Sequence, residues 1–362
     1  MDHLWSPISF GGGLELPNRL IMAPCTRNRS TSDLSPPSDA VDHYADRASA
    51  GLIITEATLI CEQAQAYIDT PGLFLDSHVD AWKRVVDRVH QRDGRIFAQL
   101  WHTGRVSHSY FTGRLPVAPS AVVDRVERRQ QGVSGIFNEC PLALEDHEIL
   151  ALIDGFAAAA TRAKRAGFDG VELHGGNGYL IEQFLRLHTN RRDDRWGGDP
   201  SSRARFGIEV IRACVEIFGP GRVGVRLSPS ADFGEMVWTR GDNEAFLALL
   251  QAVAPMGLAY VHTAVTRDVH VEALGMSPTA FLRAAWPYRL IANGGYGPAE
   301  ADELIRQGGA DMVSLGRLFL ANPDLVPRLR SGRELMTYSP SVRLPPTYAR
   351  VPAGLRSDAS LR

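Results

Sequence analysis

With 362 residues, 44% of them hydrophobic, the chain is long enough for a large buried core, and α/β barrels of this size commonly fold as one unit. A formal net charge of -2 and a pI of about 6.6 exclude the basic footprint of a nucleic-acid binder. The opening stretch "MDHLWSPISF" lacks the charged and apolar regions of a secretory signal, and no segment has the apolar length of a bilayer span, so a soluble, cytoplasmic protein with no membrane partner is expected.

In chain order, apolar runs bounded by turn residues read as buried strands at 19–24 (RLIMAP), 52–57 (LIITEA), 95–101 (RIFAQLW), 170–175 (GVELHG), 223–228 (VGVRLS), 259–263 (AYVHT), 289–295 (RLIANGG) and 312–317 (MVSLGR). Helical spacing marks 38–50, 77–91, 145–167, 203–219, 242–257 and 298–309. This alternation predicts a closed (β/α)8 TIM barrel. An open doubly wound sheet is the alternative, because periodicity carries no information on closure. Residues 103–145 read as an excursion over the barrel top after the third strand, and "DRVERRQ" within it as a solvated face. A second insertion, "RLHTNRRDDRWGGDPSSR", follows a short helix beginning near Tyr179. A single domain over 1–362 is expected, with its core at about 4–330 and an irregular, Pro- and Arg-rich C-terminal cap or tail over 331–362.

The four cysteines, Cys25, Cys61, Cys140 and Cys214, form no C-x-x-C pair, so neither a metal site nor an iron–sulfur cluster is expected. The two lysines, Lys83 and Lys164, lie in charge-patterned helical stretches and not at strand ends, which argues against Schiff-base chemistry.

In a barrel the site lies at the carboxyl ends of the strands. Those ends are polar here: Pro24, Cys25 and Thr26; Glu56 and Ala57; Gln99, Trp101 and His102; His174 and Asn177; Arg226; Asn293, Gly294 and Gly295; Gly316 and Arg317. The "NGG" and "GR" of the last two strands offer bare backbone N–H groups beside a guanidinium, a combination that suits a phosphate. Arg226 on an apolar strand calls for an anion, either a ligand or a structural partner such as Glu172. In "VELHGGNGYLIEQF", glycines bring His174, Asn177 and Tyr179 together, although Tyr179 also fits as the first apolar contact of a helix. For His102, a pocket wall and a packing role fit equally.

The stretches "LPNRLIMAPCTRNRS", "TEATLI", "FAQLWHTGRVSH", "AGFDGVELHGGNGYLIEQFL", "NRRDDRWGG", "GVRLSPS", "ANGGYG" and "SLGRLFLANPDL" together resemble the old yellow enzyme family of FMN-dependent ene-reductases from about Leu4 to Leu329. The resemblance implies non-covalent FMN, with Thr26 near flavin O4 and N5, Gln99 at the pyrimidine edge, Arg226 near N1 and O2, and Pro24, Cys25 and Ala57 lining the ring. Gly294, Gly295, Gly316 and Arg317 would hold the phosphate. His174 and Asn177 would donate to the carbonyl oxygen of an activated alkene, the glycines allowing the tight turn, and Tyr179 would protonate the α-carbon. Tyr67 and Trp101 would form pocket wall.

Three positions depart from the family pattern. Cys25 stands where many relatives carry an aliphatic residue, Trp196 replaces a more usual tyrosine as a packing change, and the tail lacks the expected aromatic-rich segment, with Tyr338 or Tyr348 as substitutes. The implied activity is NADPH-dependent, ping-pong reduction of small-molecule α,β-unsaturated carbonyl compounds by a monomer or homodimer. A tailoring flavoenzyme that desaturates or isomerises a dedicated substrate and a non-catalytic flavin-binding barrel are the alternatives.

Overall fold

The computed structural model describes residues 1–124, 138–230 and 236–339, so most of "DRVERRQ", the carboxyl-terminal part of the tail and Tyr348 lie outside the described residues. The expected strands form and close into one parallel barrel: β1 (Leu20–Met22), β2 (Leu52–Leu59), β3 (Ile96–Trp101), β4 (Gly170–Gly175), β5 (Val223–Leu227), β6 (Tyr260–Thr263), β7 (Leu290–Ala292) and β8 (Met312–Leu315). Their order around the barrel is their order in the chain, with β8 paired to β1. Every strand is buried along its whole length, which is why the sequence shows continuous apolar runs in place of alternation.

The helices form outside this ring for ordinary local reasons. The helix α1 (Ala40–Ala45) is followed by α2 (Asp76–His90), which turns Val79, Trp82, Val85, Val86 and Val89 to the barrel at helical spacing. Each such burial contributes roughly 1.5–3 kcal/mol relative to exposure. Asp76 in its first turn and Arg88 and His90 in its last complement the helix dipole. Further along come α3 (Asp146–Arg165), the short α4 (Leu180–Leu185) and α5 (Pro200–Phe218), whose start is capped by Asp199 accepting from Ser201 and Ser202 N–H. Then follow α6 (Arg240–Val253), α7 (Pro278–Ala285), α8 (Pro298–Arg306), α9 (Arg317–Ala321) and α10 (Leu325–Arg330). No helix among the described residues is long and apolar enough to cross a membrane.

Several elements had no counterpart in the sequence reading, among them an amino-terminal ribbon and the helices α7, α9 and α10. An antiparallel ribbon, Ile8–Phe10 with Leu14–Leu16, packs Phe10, Leu14 and Leu16 against Ile21, Leu52, Phe97, Tyr260 and Met312. It plugs the amino-terminal mouth, so only the carboxyl ends of the strands remain open. The helices α7, α9 and α10, of eight, five and six residues, are too short to announce themselves by periodicity. Trp196 takes the packing role expected of it, 2% exposed with Nε1 donating to Asp146 Oδ1 at 2.6 Å.

Gly170, at the start of β4, shows how tightly β4 and β5 approach. A Cβ there would stand 2.2 Å from the Arg222 carbonyl oxygen, which is fixed by the Val171 N–H, and 2.5 Å from the Phe97 ring. Gly170→Ala should lower unfolding free energy by about 1–3 kcal/mol in urea titrations, with the m-value unchanged; a variant as stable as the parent would contradict this packing.

Candidate functional site

The open end of the barrel holds a cavity of about 650 Å3, lined among others by Pro24, Cys25, Arg226, Asn293, Gly295, Gly316, Arg317 and Tyr338. Cavities of roughly 300–1,000 Å3 accommodate cofactor-sized ligands. Arg226 enters it from β5, only 8% exposed; its Nη2 donates to Asn293 Oδ1 at 3.0 Å, while Nε is buried with no partner. A buried cation with an unused donor is costly unless an anion or carbonyl meets it. Glu172, the partner weighed from sequence, accepts from Gln99 Nε2 and binds His262 Nδ1, each at 2.7 Å.

Part of the cavity wall is bare backbone, at Gly295 and Gly316. Gly295 has φ +82, a conformation that favours glycine, and a Cβ at Gly294 would meet Asp268 Cβ at 2.4 Å. A Cβ at Gly316 would stand 3.0 Å from Cys25 Sγ, so the half-buried thiol fills the space this glycine leaves. Arg317 is exposed at the start of α9, and its side chain makes no hydrogen bond among the described residues. These features fit a phosphate at one end of the cavity and a polar ring edge at Arg226.

Thr26 is half-buried, while Ala57 and Gln99 are buried; these three and the His–Asn–Tyr group lie outside the cavity wall just described. The chain past Thr26 is held by Glu56, whose Oε2 accepts from Arg27 N–H at 2.9 Å and whose Oε1 accepts from the Tyr44 hydroxyl at 3.2 Å.

His174 and Arg226 are directly paired in register across β4 and β5, so the aromatic cluster adjoins the cavity at its buried cation. The His174 ring lies 5.0 Å from that of Tyr179, Trp101 is edge-on to Tyr179 at 4.8 Å, and Tyr67 stacks on Trp101 at 5.7 Å and 16°. The hydroxyls of Tyr67 and Tyr179 are 3.1 Å apart. His174 Nδ1 is buried without a partner, and the Asn177 side-chain amide has none among the described residues.

Asn177 sits at φ 55, a region few non-glycine residues occupy. A chain of short bonds holds it there: its N–H donates to Ser228 Oγ, Ser228 donates to Glu182 Oε2, and Gly178 N–H donates to the same oxygen, all at 2.7 Å. Glu182 and Ser228 were missed from the sequence, although a carboxylate inside the apolar helix "YLIEQF" was a usable signal. His102 is buried: its Nδ1 accepts from Gly104 N–H at 3.0 Å, its Nε2 has no partner, and burial pushes its imidazole down to about 3.

Residues 3–336 match the NADH:flavin oxidoreductase / NADH oxidase family, and the chain belongs to it, within the old yellow enzyme group. It is 40% identical over 333 residues, 91% of this chain and 87% of the relative, to putative 12-oxophytodienoate reductase 5 of Oryza sativa subsp. japonica. It is 37% identical to 12-oxophytodienoate reductase 2 of Arabidopsis thaliana, over 91% of this chain and 89% of that one. Among solved structures, the old yellow enzyme homologue from Zymomonas mobilis superposes with a TM-score of 0.87 at 35% identity, covering 94% of this chain and 96% of that one. Morphinone reductase superposes at 0.86 with 41% identity, covering 94% and 92%, and has also been solved in complex with tetrahydroNAD.

Burial depresses the imidazoles of His102, His174 and His262, with the Arg226 charge adding to the effect at His174 and a Glu172 contact opposing it at His262. An unfolded histidine takes up a proton below about pH 6.5. Folded, these three take it up only at lower pH, so each weakens the folded state as pH falls below that value and contributes nothing of the kind above it. The NMR signals of His102 and His174 should stay at neutral-ring positions from pH 7.5 to 5.5; a midpoint near 6.5 at His174 would contradict its burial beside Arg226.

Proposed function

We propose that this chain is an FMN-dependent reductase of the C=C bond in α,β-unsaturated carbonyl compounds, using NADPH in a ping-pong cycle through one shared site. The observation that supports it most is the buried, unpartnered His174 Nδ1, its ring 5.0 Å from that of Tyr179, with the half-buried Asn177 three residues along the same turn and its side-chain amide without a partner among the described residues. Donors left unsatisfied in a buried site are expected where a ligand oxygen completes them. The names of the relatives, 12-oxophytodienoate reductase and morphinone reductase, denote reductases, and we extend reduction to this chain.

FMN would be held by Gly294, Gly295, Gly316 and Arg317 at its phosphate, by Arg226, Gln99 and Thr26 along its polar edge, and by Pro24, Cys25 and Ala57 against the ring. Once bound, it supplies a carrier that takes hydride from the nicotinamide and delivers it from N5 to the alkene β-carbon. His174 and Asn177 orient the alkene by donating to its carbonyl oxygen. As negative charge builds on that oxygen, each preorganised donor contributes on the order of 3 kcal/mol to the barrier reduction. A neutral His174 has one N–H to donate and no excess proton, so it polarises the oxygen without protonating it. Tyr179 delivers the proton to the α-carbon, and Tyr67, within hydrogen-bond distance of its hydroxyl, fixes the angle from which it does so. Trp101 and Tyr67 wall this spot against water.

Rapid mixing of Tyr179→Phe separates the half-reactions. Reduction by NADPH should proceed at the parent rate, while reoxidation by an enone slows by about 100-fold or more. Unchanged reoxidation would remove Tyr179 from the proton step.

A further inference from the structure

Polar groups from six consecutive barrel strands, three of them in the cavity wall, join in one hydrogen-bonded chain. Gln99 of β3 donates through Nε2 to Glu172 Oε1 of β4 at 2.7 Å, and Glu172 Oε2 meets His262 Nδ1 of β6 at 2.7 Å. His262 Nε2 lies 2.8 Å from Ser314 Oγ of β8. Asn293, just past β7, donates to the Ser314 carbonyl at 3.2 Å and accepts from Arg226 of β5 at 3.0 Å. Glu172 and His262 are fully buried, and Gln99 is 1% exposed.

Donor and acceptor identities along this chain follow from its single carboxylate. An ionised carboxylate only accepts, so Gln99 must turn its NH2 to Glu172, and His262 must carry its proton on Nδ1, leaving Nε2 to accept from the Ser314 hydroxyl. Burial alone would raise the Glu172 carboxyl; the His262 contact, the Arg226 charge and the Gln99 bond outweigh it and hold it below the usual carboxylate range. Gln99 is thereby left with its carbonyl oxygen and one N–H for whatever lies above it. That pair matches the adjacent N–H and C=O of a pyrimidine imide. Rotating the amide would set its carbonyl oxygen against the carboxylate and present the opposite pattern.

Glu172 also acts at a distance on Arg226, with which it forms no ion pair within 4 Å but whose charge it partly offsets. Reduction of a flavin places negative charge at the N1–C2=O edge. A neighbouring cation favours that charge, and a carboxylate behind the cation reduces the benefit.

We propose that Glu172 is the positioning residue of the cofactor site: by fixing the Gln99 amide and offsetting the Arg226 charge, it sets both the affinity for the flavin's pyrimidine edge and the reduction potential of the bound flavin. This rests on the reading that Arg226 and Gln99 face that edge.

The test titrates FMN into apoprotein and measures the midpoint potential of each reconstituted protein by dye equilibration, for the parent, Glu172→Gln and Glu172→Asp. Glu172→Gln should bind FMN about tenfold more weakly, since its amide no longer dictates the Gln99 orientation, and should shift the potential to more positive values. Glu172→Asp keeps the charge with a shorter arm, so affinity should fall while the potential stays near that of the parent. A merely structural role would loosen binding in both variants and move the potential the same way in both, which would overturn the proposal. So would parent-like affinity and potential in Glu172→Gln. If Glu172→Gln does not fold, Glu172→Asp decides alone, and parent-like affinity or a shifted potential there counts against the proposal. A parent protein that cannot bind FMN would instead overturn the underlying site reading, an outcome visible before any variant is made.

Discussion

A carboxylate sealed inside a barrel can remain charged only if donors reach it from more than one direction, and Glu172 meets that condition with Gln99 on one oxygen and His262 on the other. Much of the site's architecture follows from that constraint. The strands that carry these donors must lie at fixed heights, because a slip of one residue would turn each side chain from the barrel interior to the helical layer. Gln99 pairs in register with Glu172, and His262 with Arg226, so the polar layer and the strand register specify each other. Above this layer the barrel presents a cation, bare glycine backbone and a cavity; below it the apolar ribbon and the lower strand residues seal the barrel.

The second polar device is smaller and supports the other half of the site. Glu182 accepts from both Gly178 N–H and Ser228, and Ser228 receives the Asn177 N–H, so one buried carboxylate holds a left-handed asparagine in place. Glycine would adopt that φ at less cost. Keeping asparagine there is consistent with a side chain needed for its amide. In both devices a buried acid organises backbone and neutral donors, while the groups proposed to meet ligand or substrate, Arg226, His174 and Asn177, keep unused hydrogen-bonding capacity.

Most of the barrel was legible in the sequence because its strands are buried on both faces and read as uninterrupted apolar runs. Closure, which was expected and is found, rested on the count of eight βα repeats, since pairing of β8 with β1 leaves no mark on either segment alone. The amino-terminal ribbon was hidden for a related reason: its strands have three residues each around a glycine turn. Within the site, residues clustered in one motif, such as His174, Asn177 and Tyr179, could be singled out from spacing. The chain from Gln99 to Arg226 could not, because its members come from separate strands and meet only in space. Arg226 illustrates the difference. Its need for a partner was evident from an apolar strand, but the bond goes to Asn293, with Glu172 engaged elsewhere. Tyr338 does line the cavity, a placement that the atypical tail did not allow to be aligned.

The most direct measurement is an anaerobic titration of FMN-loaded protein, adding NADPH while following the flavin band and then adding 2-cyclohexen-1-one. The account predicts bleaching by the nicotinamide and full recovery with one equivalent of enone, the saturated ketone appearing as product. A bleached band that no enone restores would contradict the assignment of His174, Asn177 and Tyr179 to alkene reduction.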